Sequence, residues 1–131
     1  MPKIQVLLAD DNRAMLTDLR DELSKEFSIR GAVDNGEEAI REVLRLDPDI
    51  LVLDITMPGL SGIQVASHLR DCQVRTRILF LTIHEQPEYV AAAFSAGATG
   101  YVTKRRLGLD LANAIRQVFQ GQTFLSPTLQ K

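Results

Sequence analysis

The sequence predicts an α/β domain with a parallel sheet and helices on both of its faces. The 131 residues suffice for one domain with a buried core. Five short apolar runs alternate along the chain with segments whose apolar residues recur every three or four positions. Residues 6–9 and 50–53 are apolar throughout, which is typical of strands buried on both faces. Strict alternation indicates five βα units joined by right-handed crossovers.

The five apolar runs give the strand boundaries. The predicted strands are residues 4–9, 27–33, 50–53, 78–81 and 100–103. Arg30 and Gly31 interrupt the apolar pattern of the second run.

The helical segments between these strands are bounded by capping and breaking residues. Asp11 or Asn12 can cap the first helix, Pro48 stops the second, and Ser61 or a neighbour opens the third. The residues predicted to face inward are Leu16, Leu19 and Leu23, then Ala39, Ile40, Val43 and Leu44, then Ile63, Ala66 and Leu69.

The last two helices and the end of the chain follow the same rules. Pro87 suits the first turn of a helix over 88–96 that ends at Gly97. The last helix precedes Gly121, and residues 122–131 are expected to be a connector or a frayed end. The inward-facing residues of this last helix are predicted to be Leu111, Ile115, Val118 and Phe119.

Charge and cysteine content exclude several classes of protein. A formal net charge of -2 argues against a generally nucleic-acid-binding surface. Cys72 is the only cysteine, so neither an internal disulfide nor a cysteine-rich zinc site is expected. The first strand begins almost at once, which leaves no room for a signal peptide, and no apolar run approaches about 20 residues. We therefore expect a cytoplasmic protein with no membrane partner.

Five polar residues follow four of the predicted strands directly: Asp10, Asp11, Asp54, Thr82 and Lys104. Since the carboxyl ends of parallel strands form the ligand crevice, these side chains should meet in one pocket. Each residue alone has an ordinary structural role as a strand-end acid, a capping threonine or a surface lysine. Their shared placement is what predicts a functional site.

These five side chains are of the types that bind a divalent cation and a phosphoryl group. Three carboxylates supply the hard oxygen ligands that Mg²⁺ takes, and their mutual repulsion requires a cation or a basic side chain such as Lys104. Beside a divalent cation, a carboxylate can attack phosphorus and form an aspartyl phosphate. Lys104 and the Thr82 hydroxyl could then stabilise the phosphoryl oxygens.

The motifs, in order, resemble the receiver domain of bacterial two-component response regulators. They are Asp10-Asp11, residues 54–62, Leu81-Thr82, Ala96-Gly97-Ala98 and residues 100–104. The resemblance covers the whole chain and implies a flavodoxin-like, doubly wound (βα)5 fold with a five-stranded sheet in the order 2-1-3-4-5. It also implies phosphorylation of Asp54 by a sensor histidine kinase.

The same resemblance assigns roles to individual residues. Asp10, Asp11, Asp54 and the backbone carbonyl of Thr56 would bind Mg²⁺, or Mn²⁺ in its place. Lys104 would hold the phosphoryl group. The domain would be a phosphoacceptor that assists its own phosphorylation and dephosphorylation, and not an enzyme acting on another substrate.

Thr82 and Tyr101 would form the switch. A phosphoryl group would draw the Thr82 hydroxyl inwards, and the Tyr101 ring would follow. We expect Tyr101 to be rotameric before phosphorylation and inward after it. The alternative is a half-buried strand aromatic with its hydroxyl in water.

Residues 81–104 and 121–127 are most similar to receivers that precede a LuxR-type helix-turn-helix domain. Residues 1–121 would then be the receiver, and residues 122–131 a tail or the start of a linker to an effector domain outside this chain. The whole protein would dimerise when phosphorylated and bind DNA only through that effector domain. The alternative is a stand-alone or phosphorylation-independent receiver that acts by protein contact.

The sequence departs from the family pattern at two positions, and three residues are candidates for tuning hydrolysis. Arg105 follows Lys104, where many receivers have proline after a cis bond; the bond here is therefore either trans or strained. Ile83 stands where a smaller residue is common and could restrict access to Asp54. Thr56 and His84 occupy positions that tune attack by water. These residues predict a phosphorylated state that is slow to hydrolyse.

Other classes that share this chemistry or fold fit less well. A phosphatase of the aspartyl-phosphate type needs a cap over its substrate, for which the chain is too short. A nucleotide- or flavin-binding module needs a phosphate-binding loop after the first strand, where Asp10-Asp11-Asn12 would repel phosphate unless a cation intervened. The two histidines, His68 and His84, do not suggest a histidine metal site.

Overall fold

The structure, a computed structural model, describes residues 2–130. The strands are β1 (Gln5–Ala9), β2 (Ser28–Val33), β3 (Ile50–Leu53), β4 (Arg77–Thr82), β5 (Gly100–Thr103) and β6 (Phe124–Leu125). The helices are α1 (Arg13–Leu23), α2 (Gly36–Leu46), α3 (Gly62–Asp71), α4 (Pro87–Ser95) and α5 (Leu107–Phe119). Short 3₁₀ turns span Lys104–Arg106 and Pro127–Leu129.

Within residues 2–130 the sheet has six strands, all parallel, in the order β2-β1-β3-β4-β5-β6. The flavodoxin-like fold and the order 2-1-3-4-5 are confirmed, but the prediction of a five-stranded sheet is wrong. The additional strand lies within the segment expected to be a connector or a frayed end. Two residues are too few to show a strand period, which is why β6 was missed.

The helices divide into two layers, one on each face of the sheet. One core contains buried residues of α2, α3 and α4, and the other contains buried residues of α1 and α5. The second strand forms despite the interruption of its apolar run, and the β1–β2 register skips Arg30. In residues 2–130, no helix is long and apolar enough to cross a membrane.

Two residues predicted to face the core are largely exposed. Leu44 is 55% exposed and Phe119 is 45% exposed. Leu44 follows the buried Val43, so it lies about 100° further round α2 and beyond the face that contacts the sheet. Phe119 is the last residue of α5, where the helix extends past the edge of the core.

Side-chain caps start three helices directly after the loops that follow β1, β2 and β3. The Asn12 side chain accepts from the Met15 N–H at 3.0 Å, and that of Asn35 from the Glu38 N–H at 2.9 Å. Ser61 begins α3 with a capping box. Because Asn12 caps α1, the carboxylate of Asp11 remains available for other partners.

Gly62 sets the distance between α3 and the end of β3. Its N–H donates to the Ile55 carbonyl at 2.7 Å. A Cβ at this position would lie 2.1 Å from the carbonyl oxygen of Asp54, which is backbone and cannot turn aside. The absence of a side chain at residue 62 therefore positions the loop that carries Asp54.

Replacing Gly62 by alanine should destabilise the domain by about 2 kcal/mol or more, because the new methyl group would push α3 away from β3. Urea denaturation would measure the free energy of unfolding. Gly108→Ala is the matched control, since a Cβ there meets nothing within 4 Å. That variant should be unchanged or stabilised by up to about 1 kcal/mol. Wild-type stability in Gly62→Ala would contradict this account.

Candidate functional site

The three aspartates predicted to form one site do lie together. Asp10 and Asp11 follow β1, Asp54 follows the adjacent β3, and the Asp54 N–H donates to the Ala9 carbonyl at 3.0 Å. One carboxylate oxygen from each aspartate lies within 4.8 Å of the other two. Asp10 and Asp54 are buried, with 3% and 5% exposed, whereas Asp11 is exposed.

Lys104 extends from the end of β5 into this acidic cluster. Its Nζ lies 2.8 Å from Asp10 Oδ2 and 3.1 Å from Asp54 Oδ2. The other oxygen of Asp54 accepts from the Ile55 N–H at 2.8 Å. The Asp54 carboxylate is therefore fixed through both of its oxygens.

Burial and the neighbouring charges shift the pKa values in this cluster. Burial raises the pKa of Asp10, and the negative charge of Asp54 raises it further. Asp10 also accepts hydrogen bonds from Lys104 and from the Asn12 N–H, which lower its pKa but offset the effect of burial only in part. Burial alone would lower the pKa of Lys104, but its hydrogen bond to Asp10 and the negative charges of Asp54 and Asp10 raise it above its ordinary value. The ammonium of Lys104 thus stays charged at neutral pH.

The donor set fits a hard divalent cation. Three carboxylates and one ammonium leave a formal charge of two minus, which one divalent ion would balance. Carboxylate oxygens are the ligands that Mg²⁺ prefers, with water completing the octahedron. Asp10, Asp11 and Asp54 are the side chains that could hold the ion.

Thr82 and Tyr101 lie on the adjacent strands β4 and β5, and both are buried. The Thr82 hydroxyl accepts from the His84 N–H at 3.3 Å, and the Tyr101 hydroxyl donates to the His84 carbonyl at 2.8 Å. Burial, with the charge of Asp54 added to it, raises the pKa of Tyr101 so that the phenol remains a donor. The alternative of a half-buried tyrosine with its hydroxyl in water is wrong, whereas rotameric exchange stays a prediction.

Two of the three positions expected to tune hydrolysis contact each other. His84 Nε2 lies 2.8 Å from Thr56 Oγ1, which joins the loop after β3 to the loop after β4. The His84 ring also stacks on Tyr89, with ring centres 4.1 Å apart and planes inclined by 17°. Tyr89 lies in the first turn of α4 and was not predicted, because its local sequence carries no sign of this contact.

The third position behaves differently. Ile83 is 70% exposed, so its position does not support the expectation that it restricts access to Asp54. Ile83 comes directly after Thr82, the last residue of β4, and therefore lies outside the buried sheet. The loops after β3 and β4 are joined by the Thr56–His84 contact, not by Ile83.

Arg105 occupies the position where proline was expected and makes its own contact. Peptide bonds within residues 2–130 are all trans, so the bond from Lys104 to Arg105 is trans. The Arg105 guanidinium donates to both oxygens of Glu85, at 2.7 and 2.8 Å. This pair joins the loops after β4 and β5. Sequence reasoning missed Glu85, since the two residues are distant in the chain. His68 is exposed.

Comparisons with known proteins agree with this architecture. The chain is 37% identical over 128 residues to the uncharacterized transcriptional regulatory protein YvfU of Bacillus subtilis, covering 96% of this chain and 64% of that protein. A LuxR-family two-component response regulator from Aurantimonas sp. superposes with a TM-score of 0.92 and 30% identity, covering 98% of this chain and 93% of that one.

A second solved structure, the signal receiver domain of the putative response regulator NarL from Mycobacterium tuberculosis, has a TM-score of 0.88 and 28% identity. That match covers 93% of this chain and 100% of the other. The chain spans 58–64% of the length of the curated relatives that it matches. The family model of the response regulator receiver domain matches residues 6–117, and the chain therefore belongs to this family of two-component signalling domains.

Proposed function

We propose that this domain accepts a phosphoryl group on Asp54 from a sensor histidine kinase, with Mg²⁺ or Mn²⁺ held by Asp10, Asp11 and Asp54. The observation that carries the proposal is the Asp54 carboxylate itself. It is buried at a strand end, it contacts the Lys104 ammonium at 3.1 Å, and two further carboxylates lie beside it. The family assignment supplies the class of phosphodonor.

The proposed transfer step uses Asp54, Lys104 and Thr82. An oxygen of Asp54 attacks the phosphorus of a phosphohistidine, a P–O bond forms, and the P–N bond breaks as the imidazole nitrogen leaves with the electron pair. Lys104 binds a phosphoryl oxygen, and the Thr82 hydroxyl can donate to another. The cation, when bound, offsets the charge of the transferring group, and the backbone carbonyl of Thr56 is proposed as a further ligand. The domain assists its own phosphorylation and dephosphorylation.

The switch begins at Thr82. If the Thr82 hydroxyl turns towards a phosphoryl oxygen, it no longer accepts a hydrogen bond from the His84 N–H. The loop after β4 is then released, and the carbonyl of His84 in this loop is the acceptor for the Tyr101 hydroxyl. The surface formed by α4 and β5 then changes. This sequence of contacts supports a phosphorylation-dependent surface, and we propose that it controls formation of a homodimer.

The output is proposed to be transcription, through a DNA-binding domain outside this chain. Support comes from the relatives, which include a transcriptional regulatory protein and are longer than this chain. Residues 1–121 are proposed as the receiver and residues 122–131 as the start of a connection. A stand-alone or phosphorylation-independent receiver is the alternative. A cytoplasmic location is proposed, with which the single, exposed Cys72 is compatible.

Intact mass spectrometry after incubation with acetyl phosphate tests the proposal. With Mg²⁺ present, the chain should gain one phosphoryl group, and the gain should disappear in Asp54→Asn or when the metal is chelated. Asp71→Asn, which changes an exposed aspartate outside the site, is the matched control and should be phosphorylated like the wild type. A folded wild-type chain that gains no mass from acetyl phosphate or from a phosphorylated histidine kinase would contradict the proposal.

Hydrolysis of the phosphorylated state should depend on the bridge between Thr56 and His84. Replacing either residue by alanine removes the hydrogen bond at 2.8 Å and opens the strand ends to water. The rate of phosphate loss should rise about three- to tenfold, the factor expected for one hydrogen bond of about 1 kcal/mol. Loss of the phosphoryl mass with time would measure it.

The double variant and an exposed control make this prediction specific. Thr56→Ala combined with His84→Ala should accelerate hydrolysis no more than either change alone, since both remove the same contact. Ile83→Ala, at an exposed position beside His84, should leave the rate nearly unchanged. Additive effects of the two alanines, or a large effect at Ile83, would show that the bridge is not the controlling feature.

A further inference from the structure

We propose that Ser126 and Asp110 are positioning residues for Lys104, so that docking of β6 against the sheet completes the phosphoryl site. Neither residue contacts the acidic cluster, and neither was singled out by the sequence. The inference rests on the proposed function, because it concerns the residue that would hold the phosphoryl group.

Ser126 links the segment after β6 to the end of β5. The Phe124 N–H donates to the Thr99 carbonyl and the Ser126 N–H to the Tyr101 carbonyl, each at 3.0 Å. The next hydrogen bond between the two segments is made by a side chain and not by the backbone: the Ser126 hydroxyl accepts from the Thr103 N–H at 3.2 Å. Ser126 is completely buried. Thr103, the residue immediately before Lys104, is thus held by a side chain of the C-terminal segment.

Asp110 binds Arg106, which lies two residues after Lys104 in the chain. It is buried in the first turn of α5, and it accepts from Arg106 Nε at 2.8 Å and Nη2 at 3.2 Å. Arg106 ends the 3₁₀ turn that begins at Lys104. The Ser126 hydroxyl donates to the same carboxylate at 2.9 Å. Hydrogen bonds from Arg106 and then Ser126 keep the pKa of Asp110 below its ordinary value against the opposing effect of burial.

These contacts fix the chain both before and after Lys104. The N–H of the preceding residue and the guanidinium two residues later are both fixed by one buried pair, Ser126 and Asp110. Removing the Ser126 hydroxyl would leave the buried Thr103 N–H without its acceptor. It would also remove one of the two hydrogen bonds to Asp110 Oδ2, the other being that from Arg106. The path of the chain through Lys104 would then relax, and a displacement of about 1 Å is enough to impair a group that contacts a reacting atom.

The coupling must act in both directions. If the docked segment favours the position of Lys104 that contacts a phosphoryl group, then a ligand on Lys104 must favour the docked segment by the same factor. Occupancy of the Asp54 site would therefore be transmitted to residues 124–126 through Thr103 and Ser126. This path differs from the Thr82 and Tyr101 switch in its direction. It runs from β5 to β6, whereas the hydroxyls of Thr82 and Tyr101 contact the loop after β4.

Beryllofluoride, a mimic of the phosphoryl group, tests this inference in the full chain with saturating Mg²⁺. In Ser126→Ala, the affinity for beryllofluoride should fall about three- to tenfold, the effect of one buried hydrogen bond. The affinity for Mg²⁺ should not fall, because the three aspartates are intact. In the wild type, beryllofluoride should also slow hydrogen exchange of the Phe124 and Ser126 amides. Thr128→Ala, an exposed position in the same segment, is the control and should behave as the wild type.

The outcomes separate a positioning role from a structural one. Equal beryllofluoride affinity in wild type and a folded Ser126→Ala would overturn the inference, as would a parallel loss of affinity for Mg²⁺ and beryllofluoride. Asp110→Asn, which keeps the size of the side chain but removes its charge, replaces Ser126→Ala if that variant does not fold, with the same expectation. A wild-type chain that binds no beryllofluoride would overturn the proposed function itself.

Discussion

The repulsion between carboxylates that the fold forces together is the constraint on which this site depends. Asp10 and Asp54 are buried directly after the adjacent strands β1 and β3, and Asp11 lies beside them. Removing charged groups of like sign from water is costly unless an opposite charge is present. Lys104 supplies one such charge, with its ammonium between the two buried aspartates. The charge that remains explains why this arrangement favours a divalent cation.

The rest of the fold keeps the three aspartates and Lys104 close together. The parallel order of β1, β3, β4 and β5 brings their carboxyl ends to one edge of the sheet. Gly62 lets α3 approach the carbonyl of Asp54, and Asn12 caps α1 so that Asp11 is left for the site. Three loops are then joined above the strand ends by Thr56 with His84 and by Glu85 with Arg105. The exposed Glu85–Arg105 pair adds little stability, but it fixes the geometry of two loops.

Local pattern was sufficient for most of the fold and for the residues at the strand ends. The runs at 50–53 and 100–103 have the predicted boundaries. β1 and β2 begin one residue later than predicted, and β4 extends one residue further at each end. This success has a physical reason, since buried parallel strands need continuous apolar sequence, and polar residues that follow them must lie at the ligand edge. The two-residue β6 has no such signature, and it forms only because the backbone of β5 offers it partners.

Contacts between distant segments could not be predicted in the same way. Neither the bond from Tyr101 to the His84 carbonyl nor that from Ser126 to Asp110 follows from spacing along the chain. Such pairs depend on the three-dimensional meeting of loops after different strands. The exposure of Leu44 and Phe119 has a related cause, because helical periodicity shows which residues share a face but not how far the sheet extends beneath it.

A calorimetric titration of the wild type and Lys104→Met with Mg²⁺ tests the electrostatic account most directly. The wild type should bind one ion per chain, and Lys104→Met should bind it more tightly, because the three carboxylates lose their only close ammonium among the described residues. Methionine keeps an unbranched side chain of similar length, so the comparison isolates the charge. A folded wild type that binds no Mg²⁺, or a folded Lys104→Met variant that binds it no more tightly, would contradict the account.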